Sequence, residues 1–198
     1  MLSDPLKIAG VDEVGRGCLA GPVFSSAVIL NKNFNEKGIK DSKKITFKKR
    51  IVLSEYIKKN SIFAVGIASV EEINKINILN ASLLSMKRAL YKLKVQPSLA
   101  FIDGLFVPKN LKIKAKTFIK GDENITCISA ASIIAKVARD LFMINLSKKY
   151  PGYYWEKNFG YGTKDHFFGL KKYGVTKYHR KKFKPIHNML MSNSREIL

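Results

Sequence analysis

The sequence has few cysteines, few acidic residues and no long apolar stretch among its 198 residues. Its two cysteines, Cys18 and Cys127, are too few for a disulfide framework and lack the spacing of a zinc site, so we expect buried thiols in a reducing cytoplasm. No apolar run reaches the roughly 18 residues that a membrane span requires, and the first residues lack the basic and apolar regions of a secretory signal. We therefore expect a cytoplasmic protein that does not enter a membrane.

Acidic residues are scarce relative to basic ones. The 15 Asp and Glu stand against 36 Lys and Arg, which gives a formal net charge of +21 at pH 7. A chain this basic attracts polyanions, above all nucleic acid, although the solvated lysines of a basic proteome would give the same charge. A hydrophobic fraction of 46% is enough for a real core, and the length suits one large domain or a domain with a small appendage.

Hydrophobic periodicity predicts an α/β fold. Apolar or alternating runs predict five strands, and apolar residues spaced by three or four predict amphipathic helices. Only one helix candidate lies between the first three strands, which favours a meander that opens a mixed sheet. Thr163 can cap a helix that Gly174 ends. The predicted strands are residues 7–14, 23–30, 62–68, 99–102 and 113–119, and the other predicted helices are 47–59, 71–94 and 129–150.

The composition changes near Pro151, where aromatic and basic residues become frequent. Residues 171–184 contain seven Lys or Arg and no acidic residue. We therefore divide the chain into a core at residues 1–150 and a C-terminal basic helical extension at 151–198 that lies over it. An ordinary basic helical surface is the alternative interpretation of this segment.

Carboxylates stand at the ends of three predicted strands: Asp12 with Glu13, then Asp103, then Asp122. A strand end is half buried, and an unpaired buried carboxylate is costly unless a cation compensates it. Hard divalent cations do so through oxygen ligands, and neighbouring strands lie about 4.8 Å apart, close enough for their side chains to converge. Each acid by itself could also be a turn residue or a helix cap, so the spacing alone leaves both a metal site and structural roles open.

The order and content of several motifs resemble those of bacterial ribonuclease HII. The sequence GVDEVGRG at residues 10–17, followed by LAGPV at 19–23, is similar to the opening of that family. The resemblance extends from about residue 7 to residue 187. The later motifs follow in the family's order: DSKK at 41–44, IDG at 102–104, KGD at 120–122, ISAASIIAKVARD at 128–140, GYGT at 160–163 and YHR at 178–180.

The resemblance implies a ribonuclease H-like mixed β-sheet flanked by helices, with a C-terminal extension that completes the substrate cleft. It also implies that Asp12, Glu13, Asp103 and Asp122 are the catalytic residues and bind two Mn²⁺ or Mg²⁺ ions. The implied activity is endonucleolytic hydrolysis of the RNA strand of RNA–DNA hybrids, and incision of DNA 5′ of single embedded ribonucleotides. The products would carry 5′-phosphate and 3′-hydroxyl ends, and the cellular role would lie in ribonucleotide removal from DNA.

The resemblance further assigns substrate contacts. The backbone of Gly15, Arg16 and Gly17 and the ring of Tyr161 would recognise the ribonucleotide. Weaker candidates for contacts to phosphate or the edge of the site are Lys43, Ser129 and Lys136.

Each of these residues also has a structural alternative. Arg16 could be a flexible surface base, Tyr161 a core aromatic, and the lysines of residues 41–44 solvated loop residues. Lys136 could pair with Asp140 four residues later on one helix. The three histidines lack metal spacing with any acid, so we interpret them as core or surface residues: His166, His179 and His187.

The sequence departs from the family pattern at three places. Cys18 stands where proline is usual, Phe159 where lysine is usual, and Tyr154-Trp155 where a Gly-Phe pair is usual. The Phe159 departure puts in doubt a lysine contact next to Tyr161, but not the tyrosine itself.

Two other protein classes compete with this interpretation. Ribonuclease HIII carries an extra N-terminal domain, for which motifs that start at Asp12 leave no room. A non-catalytic module that binds hybrid or double-stranded RNA would need the basic surface but not four acids at strand ends. We expect a monomer whose partners are RNA–DNA hybrids and ribonucleotide-containing duplex DNA.

Overall fold

The computed structural model of the protein describes residues 7–36, 39 and 46–193. A five-stranded sheet has the order β3-β2-β1-β4-β5. The first three strands form an antiparallel meander, and β1, β4 and β5 run parallel to one another. The predicted meander and mixed sheet are therefore confirmed. The strands are β1 Ile8–Val14, β2 Val23–Leu30, β3 Ser61–Ala68, β4 Leu99–Asp103 and β5 Lys114–Phe118.

The predicted helices are confirmed, except that the helix predicted at residues 71–94 is kinked at Asn77, where φ is 66° and ψ is 169°, and ends at Tyr91. Thr163 and Gly174 cap the helix that they were expected to bound. Three shorter helices were not predicted. Two of them, α3 and α5, are single turns that follow a residue with left-handed backbone, and a four-residue helix is too short to show periodicity. The helices are α1 Phe47–Lys59, α2 Val70–Tyr91, α3 Gly121–Asn124, α4 Thr126–Lys149, α5 Trp155–Asn158, α6 Lys164–Tyr173 and α7 Lys184–Asn193.

The sheet is covered on both faces. Ala9 and Val11 of β1 pack towards α2, whereas α1 and α4 cover the opposite face. Because strand residues alternate between faces, Gly10 and Asp12 point towards α4. A Cβ on Gly10 would collide with the backbone of Cys127 and Ile128. The missing side chain therefore lets α4 lie close to β1, which places the end of β1 directly against that helix.

The C-terminal extension packs on the loop after β1 and on α4. Leu19, Ala20 and Met143 share one apolar cluster with Trp155 and Leu170. The division at residue 150 stays a prediction. Among the described residues, no helix is long and apolar enough to cross a membrane.

A buried pair of histidines holds the extension together. His166 Nδ1 lies 2.9 Å from the carbonyl oxygen of Tyr161, so Nδ1 carries the proton and donates. His166 Nε2 then accepts from Trp155 Nε1 at 3.0 Å and from His179 Nε2 at 3.1 Å. His179 Nδ1 accepts from the amide of Thr176 at 2.9 Å. Every ring nitrogen of His166 and His179 thus has a hydrogen-bond partner while both imidazoles are neutral. His187 is exposed. The three histidines are therefore core or surface residues, as expected.

This network makes stability depend on pH. Burial, and then the proximity of His166, lowers the pKa of His179 to about 3, and burial also lowers the pKa of His166. Below pH 6.5 the unfolded chain therefore binds protons that the folded chain excludes, and stability falls as pH falls towards 3. We expect His179→Gln, which cannot titrate, to lose less stability between pH 7 and pH 5 than the wild type, by up to about 2 kcal/mol.

Urea unfolding of both proteins at several pH values measures this difference. Groups that do not contact His179 titrate equally in the two proteins, so their contributions cancel. A difference in unfolding free energy that stays constant from pH 7 to pH 5 would contradict the neutral histidine pair.

Candidate active site

Two parallel strands bring carboxylates to one edge of the sheet. Val11 of β1 lies opposite Ile102 of β4, so Asp12 and Asp103 follow at the same level. Parallel neighbours are about 4.8 Å apart, and Glu13 continues β1 beyond them. Asp12 and Asp103 therefore lie side by side near the ends of β1 and β4, and Glu13 is close enough for its charge to act on Asp12.

The fourth predicted residue, Asp122, lies in α3, and its backbone is hydrogen-bonded to Asp103. Asp103 Oδ1 accepts from the amide of Gly121 at 2.7 Å and from the amide of Asp122 at 3.4 Å. Lys120 precedes this turn with φ 54°, a left-handed conformation that redirects the chain after β5. The Ser129 hydroxyl donates to the carbonyl oxygen of Asp122 at 2.6 Å. Ser129 is itself buried, so its hydroxyl supports α3, and a contact with substrate stays a prediction.

The carboxylates destabilise one another when all are ionised. Burial raises the pKa of Asp12 well above its usual value, and the charges of Glu13 and Asp103 raise it further. A hydrogen bond from Ser132 on α4 opposes this rise. Ser132 was not predicted from the sequence, although it lies in the ISAASIIAKVARD motif one helical turn after Ser129.

Glu13 is a second carboxylate whose ionisation the fold opposes. Burial raises its pKa, and an ion pair with Arg16 opposes the rise. Arg16 Nη1 donates to Glu13 Oε1 at 3.1 Å, while the arginine side chain remains 51% exposed. The other oxygen, Glu13 Oε2, is buried and has no hydrogen-bond partner in the described part of the chain.

These features fit a hard divalent cation. Every candidate donor is a carboxylate oxygen, the ligand that Mg²⁺ and Mn²⁺ prefer. An orphaned buried oxygen and a carboxylate with a raised pKa both mark places where a cation would compensate charge. Across residues 7–36, 39 and 46–193, no three Asp, Glu, His or Cys side chains are grouped closely enough to enclose an ion. The assignment of the four carboxylates as metal ligands therefore stays a prediction.

The loop after β1 is held from below by two buried arginines that were not predicted from the sequence. Arg180 donates to the carbonyl oxygens of Gly15 at 2.6 Å, Arg16 at 2.8 Å and Gly21 at 3.0 Å. Arg139 donates to those of Pro22 at 3.0 Å, Ala20 at 3.1 Å and Phe159 at 2.9 Å. Both arginines lie in the motifs that carry the family resemblance, but nothing in the sequence indicates that they meet this loop.

The loop itself turns at Gly15. Its φ of 94° is a left-handed conformation that glycine adopts without strain. A Cβ at this position would also collide with the Arg139 side chain. Gly15 is buried, whereas Arg16 and Gly17 are exposed, so the backbone predicted to contact substrate reaches the surface at those two residues.

Tyr161 lies beside this loop and is 41% exposed. Its amide donates to the Asn158 carbonyl oxygen at 2.9 Å, and its own carbonyl oxygen accepts from His166. Burial, and then the nearby Cys18 thiol, raises the pKa of the Tyr161 phenol. The Tyr161 ring is thus partly exposed and partly packed against the protein. Such a ring is accessible to a ligand while its position is held by its neighbours.

Lys136 is engaged within the protein. Its ammonium lies 2.8 Å from Asp140 Oδ1 and 5.0 Å from the ring centre of Phe159. The i,i+4 ion pair is therefore present, and a contact of Lys136 with substrate stays a prediction. Lys43 and the rest of residues 40–45 lie outside the described residues.

Comparison with known proteins places this chain in a family. The ribonuclease HII family model matches residues 9–186. The ribonuclease HII of Pelagibacter ubique (strain HTCC1062) is 58% identical over 183 residues, which cover 92% of this chain and 98% of that protein. The ribonuclease HII of Neisseria meningitidis serogroup B is 50% identical over 183 residues, which cover 92% and 94% of the two chains.

Solved structures agree in fold. The ribonuclease H2 of Pyrococcus horikoshii OT3 is 26% identical with a TM-score of 0.77, and the match covers 93% of this chain and 97% of that one. Bst-RNase HIII, solved in complex with Mn²⁺, has a TM-score of 0.76 at 20% identity, and the match covers 96% of this chain but 71% of that one. At that identity the second likeness concerns the fold alone.

The family match, the identity to curated relatives and the ribonuclease H-type sheet all agree, and they exclude a non-catalytic binding module. The match to ribonuclease HII also decides against ribonuclease HIII. The chain therefore belongs to the ribonuclease HII family and is an endonuclease of the ribonuclease H class, which acts on the RNA strand of RNA–DNA hybrids.

Proposed function

We propose that this endonuclease also incises duplex DNA 5′ of a single embedded ribonucleotide, by two-metal-ion hydrolysis that leaves 5′-phosphate and 3′-hydroxyl ends. The observation that supports the proposal is the register that brings Asp12 and Asp103 side by side on neighbouring parallel strands, next to a loop whose exposed backbone can contact the nucleotide. A catalytic edge and a reader of the sugar–phosphate backbone then lie side by side.

The four carboxylates would hold the ions. Asp12 and Asp103 face each other across β1 and β4, Asp122 is held beside Asp103 by α3, and Glu13 offers its unpartnered oxygen. When bound, two divalent ions supply an activated water and charge stabilisation at the leaving 3′ oxygen. Mn²⁺ and Mg²⁺ both suit an all-oxygen site, and a substrate phosphate would complete the coordination.

Recognition needs a reader of the 2′-hydroxyl, the group that separates RNA from DNA. Arg16 and Gly17 present backbone to the surface, and Gly17 leaves open space where a side chain would stand. Tyr161 offers a flat ring on which a neighbouring sugar can pack. The basic segment at residues 171–184 would attract the duplex, and we propose a monomer as the acting form.

The direct test is incubation of a duplex that carries one embedded ribonucleotide, with and without Mg²⁺ or Mn²⁺. Metal-dependent incision on the 5′ side of the ribonucleotide is the expected result. Cleavage of a continuous hybrid without any incision of this duplex would refute the proposal while leaving the family activity intact.

Asp12→Asn should abolish cleavage and stabilise the metal-free protein. The amide removes a buried charge that repels Glu13 and Asp103, while its oxygen can still accept from the Glu13 amide. Each kcal/mol gained would raise the midpoint of thermal unfolding by about 2–4 °C in a chain of this size. Asp103→Asn should also abolish cleavage, and near-normal turnover of either variant would contradict the metal assignment.

Binding should weaken steeply with salt, because the basic extension displaces counterions from the duplex. Neutralising the exposed Lys181 and Lys182 to Gln should reduce the slope of log affinity against log salt by about one unit for each phosphate that the variant no longer neutralises. The matched control neutralises Lys92 and Lys94, which are exposed where α2 ends, at the opposite end of the sheet from Asp103. Equal slopes for the two double variants would mean that residues 181 and 182 do not touch nucleic acid.

Tyr161→Ala should lose more activity on a single-ribonucleotide duplex than on a continuous hybrid. The Tyr161 ring would pack on a deoxyribose. We therefore expect the enzyme to favour a strand in which a ribonucleotide is followed, on its 3′ side, by a deoxyribonucleotide. Aromatic contacts to nucleic acid contribute about 1–3 kcal/mol, which corresponds to a loss of roughly ten- to a hundredfold. Tyr161→Phe keeps the ring and should lose less. If alanine costs the same factor on both substrates, Tyr161 is only a packing residue.

A further inference from the structure

The buried guanidinium of Arg180 binds two successive peptide groups of the loop after β1. Its two terminal nitrogens donate to the carbonyl oxygens of Gly15 and Arg16, at 2.6 and 2.8 Å. The planar fork of arginine matches two acceptors at once, as the ammonium of lysine cannot. Arg180 therefore sets the orientation of both peptide planes, 164 and 165 residues away in sequence.

The orientation of these planes determines where the loop's N–H groups point. In a trans peptide the C=O and N–H bonds point in opposite directions, and the described residues contain no cis peptide bond. The carbonyls of Gly15 and Arg16 point inward to Arg180, so the N–H groups of Arg16 and Gly17 point away from it. Within the described residues neither N–H donates to another protein atom, and both residues are exposed.

The positive charge of Arg180 also acts on these groups. A cation bound to a carbonyl polarises the peptide and strengthens its N–H as a donor, since hydrogen bonds in series reinforce one another. The charge lies in a fully buried side chain, where the effective dielectric is low and this effect is largest. Arg180 thus makes the outward N–H groups both better aligned and more electropositive.

Backbone pairing fixes Arg180 in place. Its amide donates to the Leu19 carbonyl oxygen at 2.9 Å, and the Gly21 amide donates to the Tyr178 carbonyl oxygen at 2.8 Å. Ala20 and His179 form an antiparallel bridge between these bonds. The position of the guanidinium is therefore built into the docking of the C-terminal extension.

We propose that Arg180 is a positioning residue for recognition of the ribonucleotide: it holds and polarises the two peptides whose N–H groups, at Arg16 and Gly17, donate to oxygen atoms of the bound nucleotide. This rests on the proposed function of residues 15–17 as the reader of the sugar–phosphate backbone. Arg180 touches no substrate atom itself.

The test compares Arg180→Gln and Arg180→Lys with the control Arg139→Gln. Arg139 is equally buried and also donates three hydrogen bonds to carbonyl oxygens, but to those of Ala20, Pro22 and Phe159. For each folded variant, kcat/KM on a single-ribonucleotide duplex and affinity for the same duplex made wholly of DNA are measured. Thermal unfolding reports the loss of stability separately.

Arg180→Gln should lower kcat/KM by about ten- to a hundredfold, with affinity for all-DNA duplex nearly unchanged. Arg180→Lys keeps the charge without the fork and should fall between this variant and the wild type. Arg139→Gln should lose comparable stability but less kcat/KM. Equal losses of kcat/KM for the two glutamine variants, or a parallel loss of all-DNA binding, would reduce Arg180 to a structural role and overturn the proposal.

A measurement on the wild type covers the case in which the Arg180 variants do not fold. The amide NMR signals of Arg16 and Gly17 should shift when the single-ribonucleotide duplex is added, more than with all-DNA duplex. Unshifted signals would overturn the proposal. The wild-type incision assay keeps the two ideas apart: a wild type that incises the duplex while these tests fail refutes only the role of Arg180.

Discussion

Carboxylates and guanidinium groups are buried on either side of the loop after β1. The site depends on which groups compensate each of these charges. The carboxylates of Asp12 and Asp103 lie at the sheet edge, where burial and the neighbouring charges of Glu13 and Asp103 raise the pKa of Asp12. The guanidinium groups of Arg139 and Arg180 lie beneath the loop, where backbone carbonyls solvate them. A buried charge persists only when it is well compensated. The arginines achieve this within the protein, whereas Glu13, beside Asp12, keeps one buried carboxylate oxygen without a hydrogen-bond partner in the described residues.

Much of this architecture could be predicted because it is encoded locally. The presence of only one helix candidate between the first three strands predicted the meander, and a period of three to four predicted α2 and α4. The placement of Asp12 and Asp103 followed from their position at the ends of apolar runs, since parallel neighbours end at one edge. In these cases the sequence pattern and the tertiary environment demand the same residue types.

What could not be predicted depends on distant contacts or unusual backbone. Lys120 and Tyr154 adopt left-handed conformations that a lysine or tyrosine rarely takes, so the turns α3 and α5 gave no local signal. Arg180 was visible only as part of a motif, because its partners lie more than 160 residues earlier. Helix α7 was not predicted because its short apolar face, which includes the buried Ile186, follows a lysine-rich segment. The departure at Phe159 is accommodated by a ring that packs against the Lys136 ammonium, beside the Lys136–Asp140 ion pair.

The short bridge between residues 19–21 and 178–180 has a consequence for the order in which the protein acquires its parts during synthesis. Loop closure across so many residues carries an entropic cost that is recovered only when the last segment arrives. A nascent chain that has exposed β1 to β5 already contains Asp12 and Asp103. It still lacks residues 178–180, which pair with the loop after β1 and supply the Arg180 guanidinium that orients it. Because Arg180 follows Gly15 by 165 residues, the loop after β1 takes its final orientation only after all five strands have been synthesised.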